Sequence, residues 1–231
     1  MNSLATQIQM HFPSESTPLR VSAPLDPVAT VKRSFAYRAR LWMTGVSLGV
    51  GVFLAMATRP LAPFSAPVEW TLELLGWAVF FSGAVIRVWS SSHICARKSR
   101  DVVRTGPYSV CRNPLYWGTF LMVAAFPLLL RSPILAVCML PPILLYLLAV
   151  VPVEEAVMAS RHGDNYASYC RSVSRWWPNF LGYVKGEPLG CQTTGYRREC
   201  LGLIWWLGFA IGLDFLFLFE NAAWWMHPLQ S

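Results

Sequence analysis

The chain has 231 residues and a formal net charge of +7; 55% of its residues are hydrophobic, 13% are charged, and its mean hydropathy is +0.41. Soluble domains carry about a quarter charged residues, so this composition argues against an ordinary soluble enzyme and for an all-α membrane protein. The basic residues form no recognisable nucleic-acid module, so no nucleic-acid partner is expected.

In chain order, residues 1–36 are rich in Ser, Thr and Pro and lack an apolar core. They read as a disordered cytosolic tail, without the apolar stretch of a cleaved signal peptide. Residues 37–231 read as a single transmembrane domain with about five helical spans. Its apolar runs are Leu41–Thr58, Leu72–Trp89, Leu115–Leu130, Pro133–Val151 and Cys200–Glu220. A hydrocarbon core of about 30 Å needs roughly 20 helical residues, so the third run must borrow Asn113 and Pro114.

Gly45 and Gly49 stand four apart in the first span, as do Gly208 and Gly212 in the fifth. Small residues at that spacing let helices approach closely. The glycines at 49 and 51 lack a preceding strand and a third glycine, so they too read as packing. Arg131-Ser132 is the whole link between the third and fourth spans, which forces an antiparallel helical hairpin. Pro141-Pro142 falls mid-span and should kink the fourth helix; ordinary packing and a pocket wall both account for it. No β-α-β alternation is present, which removes the soluble Rossmann folds.

Sixteen basic residues fall on one side of this topology: five before the first span, five after the second, six between the fourth and fifth. Only Arg59 and Arg131 fall on the other. The N-terminus and the polar segments are therefore expected in the cytosol, in a multi-pass arrangement. Arg87 and Asp214 lie inside apolar spans; the first reads as structural, by snorkelling or by pairing with Asp214 or backbone, and the second marks either structure or function. The six cysteines show no C-x-x-C pairing, so free thiols and no metal site are expected.

Two cytosolic segments carry the unusual chemistry. "GPYSVCRNPLYWG", residues 106–118, runs from a rigid turn into the third span. Asn113 reads as N-cap and Pro114 as the first helical residue, which sets Arg112 beside free backbone N–H groups that attract anions. Tyrosines and Trp117 also suit a plain interfacial anchor, but Asn113 and the Gly106-Pro107 turn serve no such purpose. The second segment is "VPVEEAVMASRHGDNYASYCRSVSRWWP", residues 151–178. Pro152 should restart a helix with Glu154 and Glu155 in its first turn. Asp164 should cap another carrying Tyr166 and Tyr169 on one face. Arg171, Arg175, Trp176 and Trp177 read as an amphipathic helix lying on the membrane. Adjacent carboxylates point in different directions, so one of Glu154 and Glu155 can face inward and meet a cation.

Together these segments resemble the integral-membrane methyltransferases, which include isoprenylcysteine carboxyl methyltransferases and phospholipid N-methyltransferases. The shared pattern is G-P-Y, then Arg-(His or Asn)-Pro-x-Tyr-x-Gly, a hairpin, Glu-Glu, and G-x-x-Y-x-x-Y; it covers roughly residues 83–178. The resemblance implies S-adenosylmethionine as cofactor. It implies Tyr108, Asn113, Pro114, Tyr116, Gly118, Glu154, Glu155, Tyr166 and Tyr169 as cofactor-binding residues and Arg112 as the catalytic residue holding an anionic group. It also implies a lipophilic acceptor entering from the membrane, with an isoprenylcysteine-type carboxylate favoured over a phospholipid amine or a small thiol. An amine or thiol acceptor would need a base, for which His162, Glu155 and Tyr108 are candidates. Asn113 replaces the histidine of isoprenylcysteine-type members, and His162 stands where phenylalanine is common. The competing expectations are an NADPH-dependent enzyme similar to sterol reductases and a non-catalytic membrane scaffold.

Overall fold

The computed structural model describes residues 35–57, 65–95, 101–186 and 194–220, with side chains from residue 42 in the first helix and to residue 215 in the last. Residues 1–34, most of the expected tail, lie outside the described residues. The helices are α1 (Phe35–Ala57), α2 (Ala66–Ile94), a single turn α3 (Pro107–Val110), α4 (Pro114–Leu129), α5 (Pro133–Leu145), α6 (Val151–Ser172) and α7 (Thr194–Glu220). No strand occurs among the described residues. Among the described residues, two helical runs are long and apolar enough to cross a membrane, Ala66–Ile94 and the continuous Pro133–Ser172; Trp42–Ala57 and Pro114–Leu129 are apolar but shorter.

The surface is apolar where a soluble protein would be charged. Phe53, Leu74, Val85, Leu148 and Trp205 are all more than half exposed. Contiguous exposed apolar helix faces of this extent belong against lipid. The buried interior is correspondingly small: Phe80, Met122, Phe126, Leu129, Leu135 and Leu213 form its centre. Phe126 stacks on Trp206 and meets Phe209 edge-on, which docks α7 on the α2–α4 pair.

The α2–α4 pairing is the most extensive among the described helices. It depends on two facing glycines. A Cβ on Gly83 would sit 2.6 Å from the Gly118 carbonyl oxygen and 2.9 Å from the Met122 nitrogen. A Cβ on Gly118 would sit 2.6 Å from Arg87 Cγ and 2.7 Å from the Gly83 oxygen. The expected close-approach pairs Gly45/Gly49 and Gly208/Gly212 do not behave this way: among the described residues nothing lies within 4 Å of a Cβ at any of the four. Small-residue spacing brings helices together only where a partner lies opposite, and in α1 that residue is Gly51, against Leu135 and Cys138 of α5.

The hairpin is present. Leu129 ends α4, Arg131 adopts φ 49°, and Ser132 caps α5 by accepting a hydrogen bond from the Leu135 N–H. The expected proline kink takes a different form. The chain stays helical through Pro141 and Pro142, widens into a π-helical turn at Tyr146–Val150, and continues as α6. Such turns insert one residue into a helix and occur often beside functional groups. No restart at Pro152 is needed, so α5 and α6 carry Glu154 and Glu155 on one continuous rod out of the apolar zone. Inside α6 the backbone leaves helical values at Gly163 (φ 47°, ψ −126°), one residue before the expected second start at Asp164. Glycine tolerates that conformation and other residues do not.

Candidate active site

The Gly106-Pro107 turn is fixed on all sides. Gly106 has φ 62°, and a Cβ there would collide with the His93 ring. Its N–H donates to the Val184 carbonyl at 2.8 Å, and the Val184 N–H donates to Ser109 Oγ at 2.9 Å. This turn places α3 against the start of α4.

Asn113 and Pro114 stand at the expected cap and first-turn positions of α4, but Asn113 does not cap its own helix with its side chain. Its Nδ2 instead donates to Glu155 Oε1 at 3.1 Å and to the Arg175 carbonyl at 3.3 Å. One turn on, Tyr116 donates its hydroxyl to Glu154 Oε2 at 2.7 Å. The two polar segments therefore meet along one seam. Of the adjacent acids, Glu155 is buried, at 8% exposure, and Glu154 is half-buried.

Glu155 is a hub. Arg112 Nη1 lies 3.6 Å from one of its oxygens and Arg175 Nη2 lies 2.6 Å from the other. Arg112 also donates to Cys170 Sγ at 2.9 Å. Burial works against the Arg112 charge, but the Glu155 and Cys170 groups outweigh it and its pKa stays above the usual arginine value. Arg112 Nε is a buried donor with no hydrogen-bond partner among the described residues.

Tyr166 and Tyr169 are both buried, and Tyr169 donates its hydroxyl to the Tyr108 carbonyl at 2.7 Å. Burial pushes the phenols of Tyr108, Tyr166 and Tyr169 upward, so all three remain protonated. Burial likewise pushes the Cys111 thiol up to about 11.

The structure thus gathers Arg112, Asn113, Tyr116, Glu154, Glu155, Tyr166 and Tyr169, with Tyr108 joined through its backbone. It does not bring Pro114 or Gly118 to that seam. Gly118 sits at the α2–α4 crossing, where its missing side chain makes room for Arg87 and Gly83. Pro114 lines a separate apolar slot of about 150 Å³ with Ile86, Trp89, Trp117, Pro178 and Phe180. A larger cleft of about 500 Å³ opens beside the seam and is lined in part by Arg104, Ser109, Tyr169, Cys170, Ser174 and Asn179. Arg87 pairs with Glu199 of α7 and donates to Thr119; its partner is not Asp214.

One segment departs from its expected form. The amphipathic helix expected to run on through Arg175 ends at Ser172, and the chain folds back along residues 110–117. The carbonyls of Ser174, Arg175 and Trp176 accept in turn from the Arg112 N–H (2.9 Å), Asn113 Nδ2 (3.3 Å) and Trp117 Nε1 (2.6 Å). Half-buried backbone, amide and indole donors at the start of α4 find their acceptors in these successive carbonyls. Arg175 and Cys170 therefore join the site unannounced. In the sequence, a basic residue beside two tryptophans looks like any membrane anchor.

The model of the phospholipid methyltransferase family matches residues 72–165, which includes both acids and ends just before Tyr166. The cobalt-zinc-cadmium resistance protein CzcN of Cupriavidus metallidurans is 27% identical over 91% of this chain and 93% of its own length. The nickel-cobalt-cadmium resistance protein NccN of Alcaligenes xylosoxydans is 26% identical over 87% of this chain and 91% of its own length. No solved structure matches the chain. Across residues 72–165, then, the chain matches the phospholipid methyltransferase family, in line with the integral-membrane methyltransferase superfamily that its two polar segments resemble.

Proposed function

We propose that this protein is a membrane-embedded methyltransferase that uses S-adenosylmethionine and acts on a lipophilic acceptor. The observation that carries this reading is the seam itself, where Arg112, Asn113 and Tyr116 of the α4 start meet Glu154 and Glu155 of α6. The proposed topology has about five spans in one domain over residues 37–231, with the N-terminus and the seam in the cytosol.

The donor set suits the cofactor. Acids, guanidinium groups and tyrosines meet along the seam, and its Tyr169 and Cys170 also line a cleft of about 500 Å³, within the size range of small-molecule sites. In our reading Glu154, oriented by Tyr116, faces positive charge, and Arg112 holds a negative group. When bound, the cofactor supplies a methyl group already activated on a sulfonium. The protein's own work is alignment, worth up to roughly 7–11 kcal/mol in favourable cases.

The residues favour an acceptor that needs no base. Tyr108 is buried with its phenol held protonated. Glu155 is engaged by Asn113 and two arginines. Among the described residues, His162 makes no hydrogen bond to the seam. A carboxylate carried on an isoprenoid or similar chain fits, with the apolar slot at Trp89, Trp117 and Phe180 receiving the chain from the lipid. The second reading is phospholipid N-methyl transfer, which the description of the matched family favours. The relatives named above carry metal-resistance names; we read such a role in this chain as methylation of a membrane component.

The test uses the purified full chain in lipid nanodiscs. S-adenosylhomocysteine should raise its melting temperature and NADPH should not. Incubation with methyl-labelled cofactor and a membrane lipid extract should yield a labelled lipid. A base-labile methyl ester identifies a carboxylate acceptor; a stable labelled headgroup identifies an amine. No shift and no labelled product would reject the proposal, and a shift by NADPH alone would favour a reductase.

A further inference from the structure

Residues 177–184 are apolar, exposed and fixed at once. Leu181 is fully exposed, and Trp177, Phe180 and Val184 are each more than half exposed. The backbone that carries them is held at both ends and in the middle. The Trp176 carbonyl accepts from Trp117 Nε1 at 2.6 Å, and the Asn179 N–H donates to the Val110 carbonyl at 3.0 Å. The Leu181 N–H donates to Asn179 Oδ1 at 3.1 Å, and the Val184 N–H donates to Ser109 Oγ at 2.9 Å. A loose apolar loop can fold its side chains inward; this one is held so that they point away from the protein. A contiguous exposed apolar patch of this kind marks an interaction surface.

Two observations say what covers it. The first is depth. Pro178 and Phe180 line the apolar slot together with Ile86 and Trp89, near the end of α2, and Trp117, in the first turn of α4. The Tyr183 ring lies 6.1 Å from that of Trp89. The loop therefore spans the gap between the ends of two apolar helices, and Val85, beside Ile86, is on the exposed apolar surface of α2. Ends of spanning helices lie at the bilayer boundary. The second observation is charge. No Asp or Glu occurs from residue 165 to residue 186, and Arg171 and Lys185 are exposed on either side of the loop. Cations flanking exposed tryptophan suit the interfacial layer of a bilayer with anionic headgroups. A second copy of the chain would instead set like charge against like.

We infer that residues 177–184 form a membrane-inserted rim. Trp177, Phe180 and Leu181 sit in the interfacial layer, and Phe180, which is both exposed and part of the slot lining, is the wall between lipid and slot. The rim does not depend on the reaction proposed above; it sets the phase from which an apolar chain reaches the slot.

The test uses the unaltered full chain in nanodiscs of phosphatidylcholine and phosphatidylglycerol, doped with a phospholipid that carries a diazirine close to the ester end of one acyl chain. After irradiation, lipid adducts are mapped by peptide mass spectrometry. Residues 177–184 should be labelled several-fold more than residues 160–168, the exposed polar stretch of α6. Diazirines favour acidic side chains, so the chemistry is biased towards Asp164 and against this result. Labelling of 177–184 no higher than that of 160–168 would overturn the inference, whether water or a second copy of the chain covers the patch. The readout needs no cofactor, so failure of the methyltransferase reading would leave it unchanged.

Discussion

Glu155→Ala should cost both stability and function, and more than any other single change at the seam. The carboxylate is buried and is the shared acceptor of Asn113, Arg112 and Arg175. Its removal leaves the guanidinium of Arg112, with little exposure, facing the other arginine without a counter-charge. Breaking a buried ion pair from one side typically costs 3–5 kcal/mol, and about 3 kcal/mol is expected here because Arg175 can turn to water. Thermal unfolding in nanodiscs reads the loss. Glu154→Gln is the comparison: it keeps an acceptor for the Tyr116 hydroxyl at a half-buried position and should lose less than about 1 kcal/mol. The stabilisation by S-adenosylhomocysteine should disappear in Glu155→Ala and shrink in Glu154→Gln. If both variants melt and bind alike, Glu155 is not the hub described.

The second large effect concerns the scaffold. Gly83→Leu must push α2 away from α4, because the new Cβ would meet backbone atoms of Gly118 and Met122 as well as the Met122 side chain, and the backbone atoms cannot swing aside. Overpacking of this kind costs about 1–3 kcal/mol, and the upper end is expected where neither neighbour can yield. The same displacement would shift Arg87, which packs over Gly118 and bonds to Glu199 of α7. Loss of ligand binding should therefore accompany the loss of stability. Gly45→Leu, at a position with open space around its Cβ, should leave melting and binding unchanged. Equal damage from both substitutions would contradict the glycine crossing.

Much of this architecture was written in local patterns. The two-residue Arg131-Ser132 link implies the hairpin, and Asn113-Pro114 marks the start of α4, because both depend on short-range backbone rules. The inward turn of one of two adjacent acids follows from helix geometry, and Glu155 is that acid. What could not be read depended on what lies opposite. Glycines at 45, 49, 208 and 212 have the right spacing but face no neighbour among the described residues, whereas Gly83 and Gly118 meet each other without any repeat to announce them. Gly118 sits in the matching motif yet does its work at a helix crossing. Arg175 looked like a surface anchor because nothing local reveals that three successive carbonyls will bind α4. The proline pair suggests a kink, and the chain instead stays helical through it and widens into a π-helical turn several residues later.

In the proposed function, residues 106–118 and 151–178 close around one molecule of S-adenosylmethionine. Ultraviolet cross-linking of methyl-labelled cofactor to the purified full chain, followed by peptide mapping, tests it most directly. Label should fall in peptides from both segments, should be competed away by S-adenosylhomocysteine, and should be lost in Glu155→Ala. Label confined to the α7 region, or none that the competitor removes, would contradict the account.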